Sequence, residues 1–321
     1  MKLNWKKTKT LVAWLTLITL VFGKQASLHA QFKLTGVNIR STYTPESDYI
    51  GPDDAEKSLS KTAETRTSLG LAFSLSNKTD SVNNTFRSWS ASLNGSYINF
   101  SHKQYDQPVL PERLVTLDFG IQYLRSLKNR WSLLSMISVG VYSDMDKVNG
   151  KDFFVIAGAA FIKTYNPQLS IGFGGFINNS FETPVLWPAV IVRWQTGRMF
   201  RLNVDLPSDQ DPGTAIAYRI AYSYIMNKQS EVSLVFKPRM SLYDTEVHGD
   251  KNRMLTAMEL PLGIENRWRI NNIDLVVGAG AIMLRNYRFG EKKLSKMFAK
   301  TPDHRIESNY FINLGVAWTL R

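Results

Sequence analysis

Beyond its first thirty residues the chain holds three histidines, His102, His248 and His304, with Asp106, Asp250 and Asp303 close by in sequence. A histidine–aspartate pair is the minimum for general-base chemistry, and three imidazoles brought together could hold a divalent metal. The spacing argues against both. There is no HExxH, no GxSxG and no tight ligand cluster, and no serine near a histidine is singled out as a nucleophile. The chain also has no cysteine, which excludes a disulfide framework, a thiolate metal site and a lipid-modified cysteine. The expectation is a non-enzymatic protein with no catalytic residue, no metal and no cofactor, its histidines lying in solvated loops.

A second set of charged residues has another use. Arg193, Arg201, Asp205, Arg219, Glu231, Lys237, Arg239, Glu259, Glu265 and Arg267 sit among large apolar side chains in segments that alternate with period two. A charge facing lipid costs about 2–4 kcal/mol near the bilayer midplane, so in a membrane strand these groups must point inward. Together they would form a charged patch on one wall of a lumen. Such a patch is either a filter for small polar solutes or a set of ion pairs that fills the barrel, and both readings fit the residues.

The elements that must position them are strands. "SLGLAFSLS" sets Leu69, Leu71, Phe73 and Leu75 against Ser68, Gly70, Ala72 and Ser74, and "VTLDFGIQY" and "AIAYRIAYSY" alternate in the same way. The segments are about ten residues long, and aromatics sit near their ends, as in a tilted strand crossing a bilayer between interfacial girdles. Strands are expected near 33–44, 64–76, 86–100, 113–125, 130–143, 153–164, 168–178, 185–196, 199–206, 213–225, 229–244, 254–267, 271–287 and 306–321. The fold class is thus all-β, a transmembrane antiparallel up-and-down barrel of about fourteen strands, with twelve as the alternative count. Apart from the first, the connections on one side are short ("LKNR", "YNP", "TGR", "MNK"), and those on the other are long and rich in Asp, Lys and Pro. That is the asymmetry of outer-membrane barrels.

The termini agree with export. "MKLNWKKTKT", the apolar run "LVAWLTLITLVFG" and small Ala30 make residues 1–30 a signal peptide for the secretion machinery, leaving 31–321 as the barrel. Its removal takes five lysines and no acid, so the formal net charge falls from +12 to +7. The remaining cations are scattered, and no nucleic-acid partner is expected. The tail, with Asn313, Gly315, Trp318 and Leu320, resembles the C-terminal signal that the barrel-assembly machinery recognises, although it ends on Arg321 instead of an aromatic. In "RFGEKKLSKMFAKTPDHR", Lys292, Lys293, Lys296 and Lys300 flank an apolar side made by Leu294, Met297 and Phe298. Such a segment is either a solvated loop or a contact with outer-membrane lipid and the phosphates of lipopolysaccharide.

The central stretch "TPVLWPAVIVRWQTGRMFRLNVDLPSDQDPGTAIAYRIAYSY", through Pro184, Pro188, Trp194, Phe200, Leu202, Leu206 and Pro207, resembles a family of uncharacterised outer-membrane β-barrels from Gram-negative bacteria. The resemblance implies fold and location and carries no functional residue across. The function expected is passage of small polar solutes through a charged lumen. The alternatives are a closed-lumen structural or surface-binding barrel and, less favoured, a hydrolase of the outer membrane.

Overall fold

The period-two segments all form strands. The computed structural model describes residues 33–51, 59–82, 85–106, 108–179, 184–208, 216–246, 253–291 and 304–320. The expected signal peptide, His248 and Lys292, Lys293, Lys296 and Lys300 lie outside these. Seventeen strands follow in chain order: β1 (Lys33–Ile50), β2 (Lys61–Asp80), β3 (Thr85–Lys103), β4 (Arg113–Ser126), β5 (Trp131–Ser143), β6 (Phe153–Asn166), β7 (Leu169–Asn178), β8 (Val185–Thr196), β9 (Phe200–Leu206), β10 (Ile216–Ala217), β11 (Arg219–Ile225), β12 (Ser230–Phe236), β13 (Arg239–Thr245), β14 (Arg253–Ile270), β15 (Ile273–Gly290), β16 (His304–Ile306) and β17 (Asn309–Thr319).

They make a closed antiparallel barrel of fourteen, in which the short β10, β13 and β16 continue the registers of β11, β12 and β17. Closure runs through β17 and β1, with Gly36 opposite Thr319 and Tyr43 opposite Ile312 at the two limits of the paired stretch. The last strand therefore has no free edge. The short connections at 127–130, 197–199 and 271–272 mark one end of the barrel, here the turn end; the opposite one is the loop end. Asn129, Gly197 and Asn271 take positive φ values of 58°, 63° and 54°, a conformation that Asn and Gly adopt most readily in tight hairpins.

The faces follow the alternation. Leu69, Leu117, Phe119, Tyr222, Ile264 and Leu314 are exposed on the outside. Trp89, Trp131, Trp194, Tyr224, Trp268 and Trp318 form an exposed aromatic series near the turn end. Several strands are longer than the expected ten residues: β1, β14 and β15 have 18, β3 has 19 and β2 has 20. Most of the additional length lies at the loop end, so part of what the sequence suggests as loop 45–63 is paired strand.

The expected strand over 229–244 is present as β12 and β13, which run through Lys237–Pro238 in one register against β14, with Phe236 opposite Leu262 and Arg239 opposite Glu259. Proline has no N–H to give the ladder, and a chain reaching it can change direction. Here the pairing continues past it, the Lys237 N–H bonding the Pro261 carbonyl and the Tyr218 N–H bonding the Pro238 carbonyl, both at 2.9 Å. All seven residues of β13 are buried, and Asp244 bridges Ser143 of β5, a strand far around the wall, in parallel. The far end of β13, still paired to β14, thus reaches β5 across the loop end of the lumen. Around it Ile98, Leu114, Tyr142, Phe154, Phe176, Leu242, Tyr243 and Leu255 make one buried apolar cluster.

Glycines let β14 and β15 pack where they pair. A Cβ on Gly280 would fall 2.2 Å from the Leu262 carbonyl oxygen and 2.4 Å from Gly263 Cα, backbone atoms that have no rotamer to move. Gly280→Val is expected to abolish folding, read as loss of the heat-modifiable band of a folded barrel on cold electrophoresis. Ala279→Val, on the exposed face of the same strand, should leave that band intact.

Candidate functional site

The charged residues of the lumen fall into layers along β14, which runs from the loop end to the turn end. Nearest the loop end, Glu259 is a hub. Its Oε2 accepts from Arg239 Nε at 2.5 Å and from Arg66 Nη2 at 3.0 Å, and its Oε1 accepts from the Tyr287 hydroxyl at 3.4 Å. Glu64 takes Arg285 at 2.8 Å and Arg66 at 3.2 Å. Because β2 lies four wall positions from β14, the Arg66–Glu259 pair spans the interior instead of following one ladder.

The next layer is built on Glu265. Lys237 approaches it at 2.7 Å, Arg40 at 3.2 Å and Arg219 at 3.8 Å, and Asn313 Nδ2 donates to it at 3.3 Å. Three cations thus surround one carboxylate. Closer to the turn end, Glu231 pairs with Arg201 and, at 3.8 Å, with Arg267, while Arg193 pairs with Asp205. Exposure changes steadily along this series. The Arg285 and Glu259 side chains are 0% and 2% exposed, Arg219 and Glu265 both 6%, and Arg201 and Arg193 30% and 48%. The lumen is packed at its loop end and open to water at its turn end.

β13 is fastened across this plug. Asp144 Oδ2 accepts from the Glu246 N–H at 2.8 Å, Asn149 Nδ2 donates to Asp244 at 3.4 Å, and Lys147 approaches Glu246 at 3.5 Å. Burial pushes the Asp144 carboxyl up from the ordinary carboxylate range, against the two backbone N–H groups that it accepts.

All ten charges named from the sequence lie in this lumen series, but the network they belong to is larger. Arg40, Glu64, Arg66 and Arg285 complete it, and the small-residue lining read on β2 gives way to Glu64 and Arg66 at the loop end. Glu64 and Arg66 share the parity of Ser68 and Gly70, so that signal was present. Arg285 was concealed: β15 carries one additional residue opposite Glu259–Pro261, which reverses its parity there.

Of the tail residues, Asn313 is buried in the Glu265 layer, Gly315 pairs with both Arg40 and Val276, Trp318 is exposed opposite Val37 and Ile273, and Leu320 N–H bonds Thr35 O at 2.9 Å. His102 and His304 are not in solvated loops. They are half-buried on β3 and β16, where Thr62 Oγ1 shares a hydrogen bond with His102 Nδ1 at 3.1 Å and the Tyr49 hydroxyl shares one with His304 Nδ1 at 2.5 Å. Tyr105 stacks edge-on to His102 with ring centroids 5.2 Å apart. Among the described residues no group of three or more His, Asp or Glu side chains is placed to hold a metal.

The fold and interior define a fourteen-stranded antiparallel barrel with an ion-paired core. The chain belongs to the family described as a domain of unknown function (DUF6268), whose model matches residues 26–319. It is similar in structure to an outer membrane channel from Pseudomonas putida F1, with a TM-score of 0.44, 11% identity and coverage of 90% of this chain and 96% of that one. It is also similar to the TodX monoaromatic hydrocarbon channel, with a TM-score of 0.42, 7% identity and 90% coverage of each. The NanC porin is a further similar structure, with a TM-score of 0.38, 12% identity and coverage of 88% and 100%. No curated protein matches the sequence.

Glu259→Ala should leave Arg66, Arg239 and Arg285 buried beside an empty position, at a cost of about 3–5 kcal/mol. Asp274→Asn breaks only the rim pair with Arg269, whose side chain is 51% exposed, and should cost less than about 1 kcal/mol. Denaturant unfolding followed by tryptophan fluorescence separates the two.

Proposed function

We propose that this protein is a non-enzymatic outer-membrane barrel whose lumen is sealed at rest, so that it acts through its walls and ends and not as an open pore. The membrane seat is supported by the apolar outer face and the aromatic series near the turn end. The observation that carries the sealed lumen is the Arg66–Glu259 pair. It joins strands on different parts of the wall at 3.0 Å, with both side chains at most 10% exposed. The β13 crossing lies over the same level and adds an apolar seal. A conducting path would have to part both.

Passage of small polar solutes is the second reading, and the open turn half of the lumen favours it. There Arg193 and Arg201 face water, and the excess of cations over carboxylates around Glu265 would favour anions. A solute entering from that side would be held at the Glu265 layer unless the plug moved.

Conductance in planar bilayers decides between them. The purified mature protein is expected to give no stable steps. Asp144→Ala combined with Asn149→Ala, which releases the end of β13, is expected to give transient openings. Stable steps from the unaltered protein, with ion selectivity changed by Arg219→Glu, would overturn the sealed reading in favour of the filter.

A further inference from the structure

One register row on the outer wall is divided into a cationic and an apolar half. Lys78 stands opposite Arg87, Arg87 opposite Arg125, Arg125 opposite Leu133, Leu133 opposite Phe161, and Phe161 opposite Phe173. The parity of Trp89 and Tyr123, whose rings pack at 4.5 Å, puts all of them on the outer face. Like charges directly opposite one another destabilise a sheet. Yet Lys78, Arg87 and Arg125 are all exposed, and none of them has an ion pair among the described residues. Nothing in the lumen network uses them.

The other half of the row is a groove. Trp131, Phe161 and Phe173 line a depression of about 380 Å³ on the outer face, and all three rings are exposed. Lys163 Nζ sits 5.3 Å from the Trp131 ring centre, at the groove's margin nearest the turns. Height matters here. Arg125 is one residue from the end of β4 at its turn, whereas Phe161 is five residues from the end of β6. The row climbs from the turn end into the apolar belt as it passes from cations to rings.

We infer that this strip is a binding site for an anionic glycerophospholipid, with its phosphate on Lys78, Arg87, Arg125 and Lys163 and an acyl chain in the groove of Trp131, Phe161 and Phe173. The order of charge and apolar surface along the wall matches the order of headgroup and tail in such a lipid. The unpaired cations give an anionic headgroup an advantage over a zwitterionic one. The site lies at the turn end. The inference rests on the membrane reading above and is independent of whether the lumen conducts.

The test uses the full mature protein, incubated in detergent with equimolar phosphatidylglycerol and phosphatidylethanolamine and examined by native mass spectrometry. Each cation near a membrane surface is worth about a five-fold preference for an anionic headgroup. Phosphatidylglycerol should therefore be retained in clear excess, and the excess should disappear in Lys78→Gln/Arg87→Gln/Arg125→Gln. Phe161→Ala with Phe173→Ala should shorten retention without removing the headgroup preference. All five side chains lie outside the lumen, so the heat-modifiable band should persist in every variant. Equal retention of the two lipids by the unaltered protein would overturn the site. So would a preference unchanged in the triple variant. A protein that gives no folded band in any lipid would sink the membrane reading and this site with it.

Discussion

The pairing of β17 with β1 is the constraint on which the remaining structure depends. In a medium without water every backbone N–H and C=O must find its partner inside the protein, and a sheet satisfies this only by closing on itself. Closure makes an inside and an outside, and the pleat then sends alternate side chains to each. The outside takes the large apolar residues and the inside takes the rest, including more than a dozen charged groups that have nowhere else to go. From that point the lumen is an electrostatic problem, because a buried charge without a partner is costly.

The barrel solves it in graded fashion. Where water enters, near the turns, Arg193 and Arg201 need only one carboxylate each. Where water is excluded, pairs no longer suffice, and Glu64 and Glu259 are shared among Arg66, Arg239 and Arg285. Whether this layer stabilises the fold more than an apolar core would is a separate matter, since desolvation offsets much of the attraction. Its geometric effect is clearer. By joining β2 and β15 to β14 and β13 it fixes the distance between different parts of the wall, and it fills the section through which a solute would pass.

β13 links the two halves of this design. The ladder to β14 runs past Pro238 through the Lys237 N–H and the Pro261 carbonyl, and β13 stays paired with β14 while both of its faces are covered. Arg239 comes with it and meets Glu259. The same strand therefore supplies an apolar seal and a cation for the polar layer.

By itself the sequence determined the strands, their number and their faces, because period-two alternation is a local property written in consecutive residues. The expected limits of β4, β5 and β8 differ from the observed ones by no more than one residue. Parity and the cost of a charge in lipid also leave the ten named charges one choice of face. Only the tertiary structure decided what those charges do. The partners of Glu259 come from Arg66, 193 positions away, and from Arg285, which counting in twos turns the wrong way because one bulge in β15 reverses the parity. Likewise, nothing local says that the end of β13 reaches β5. Which residues face inward is set by the neighbours in the chain; which of them meet across the lumen is set by closure, register and bulges, and these exist only once all fourteen strands are paired.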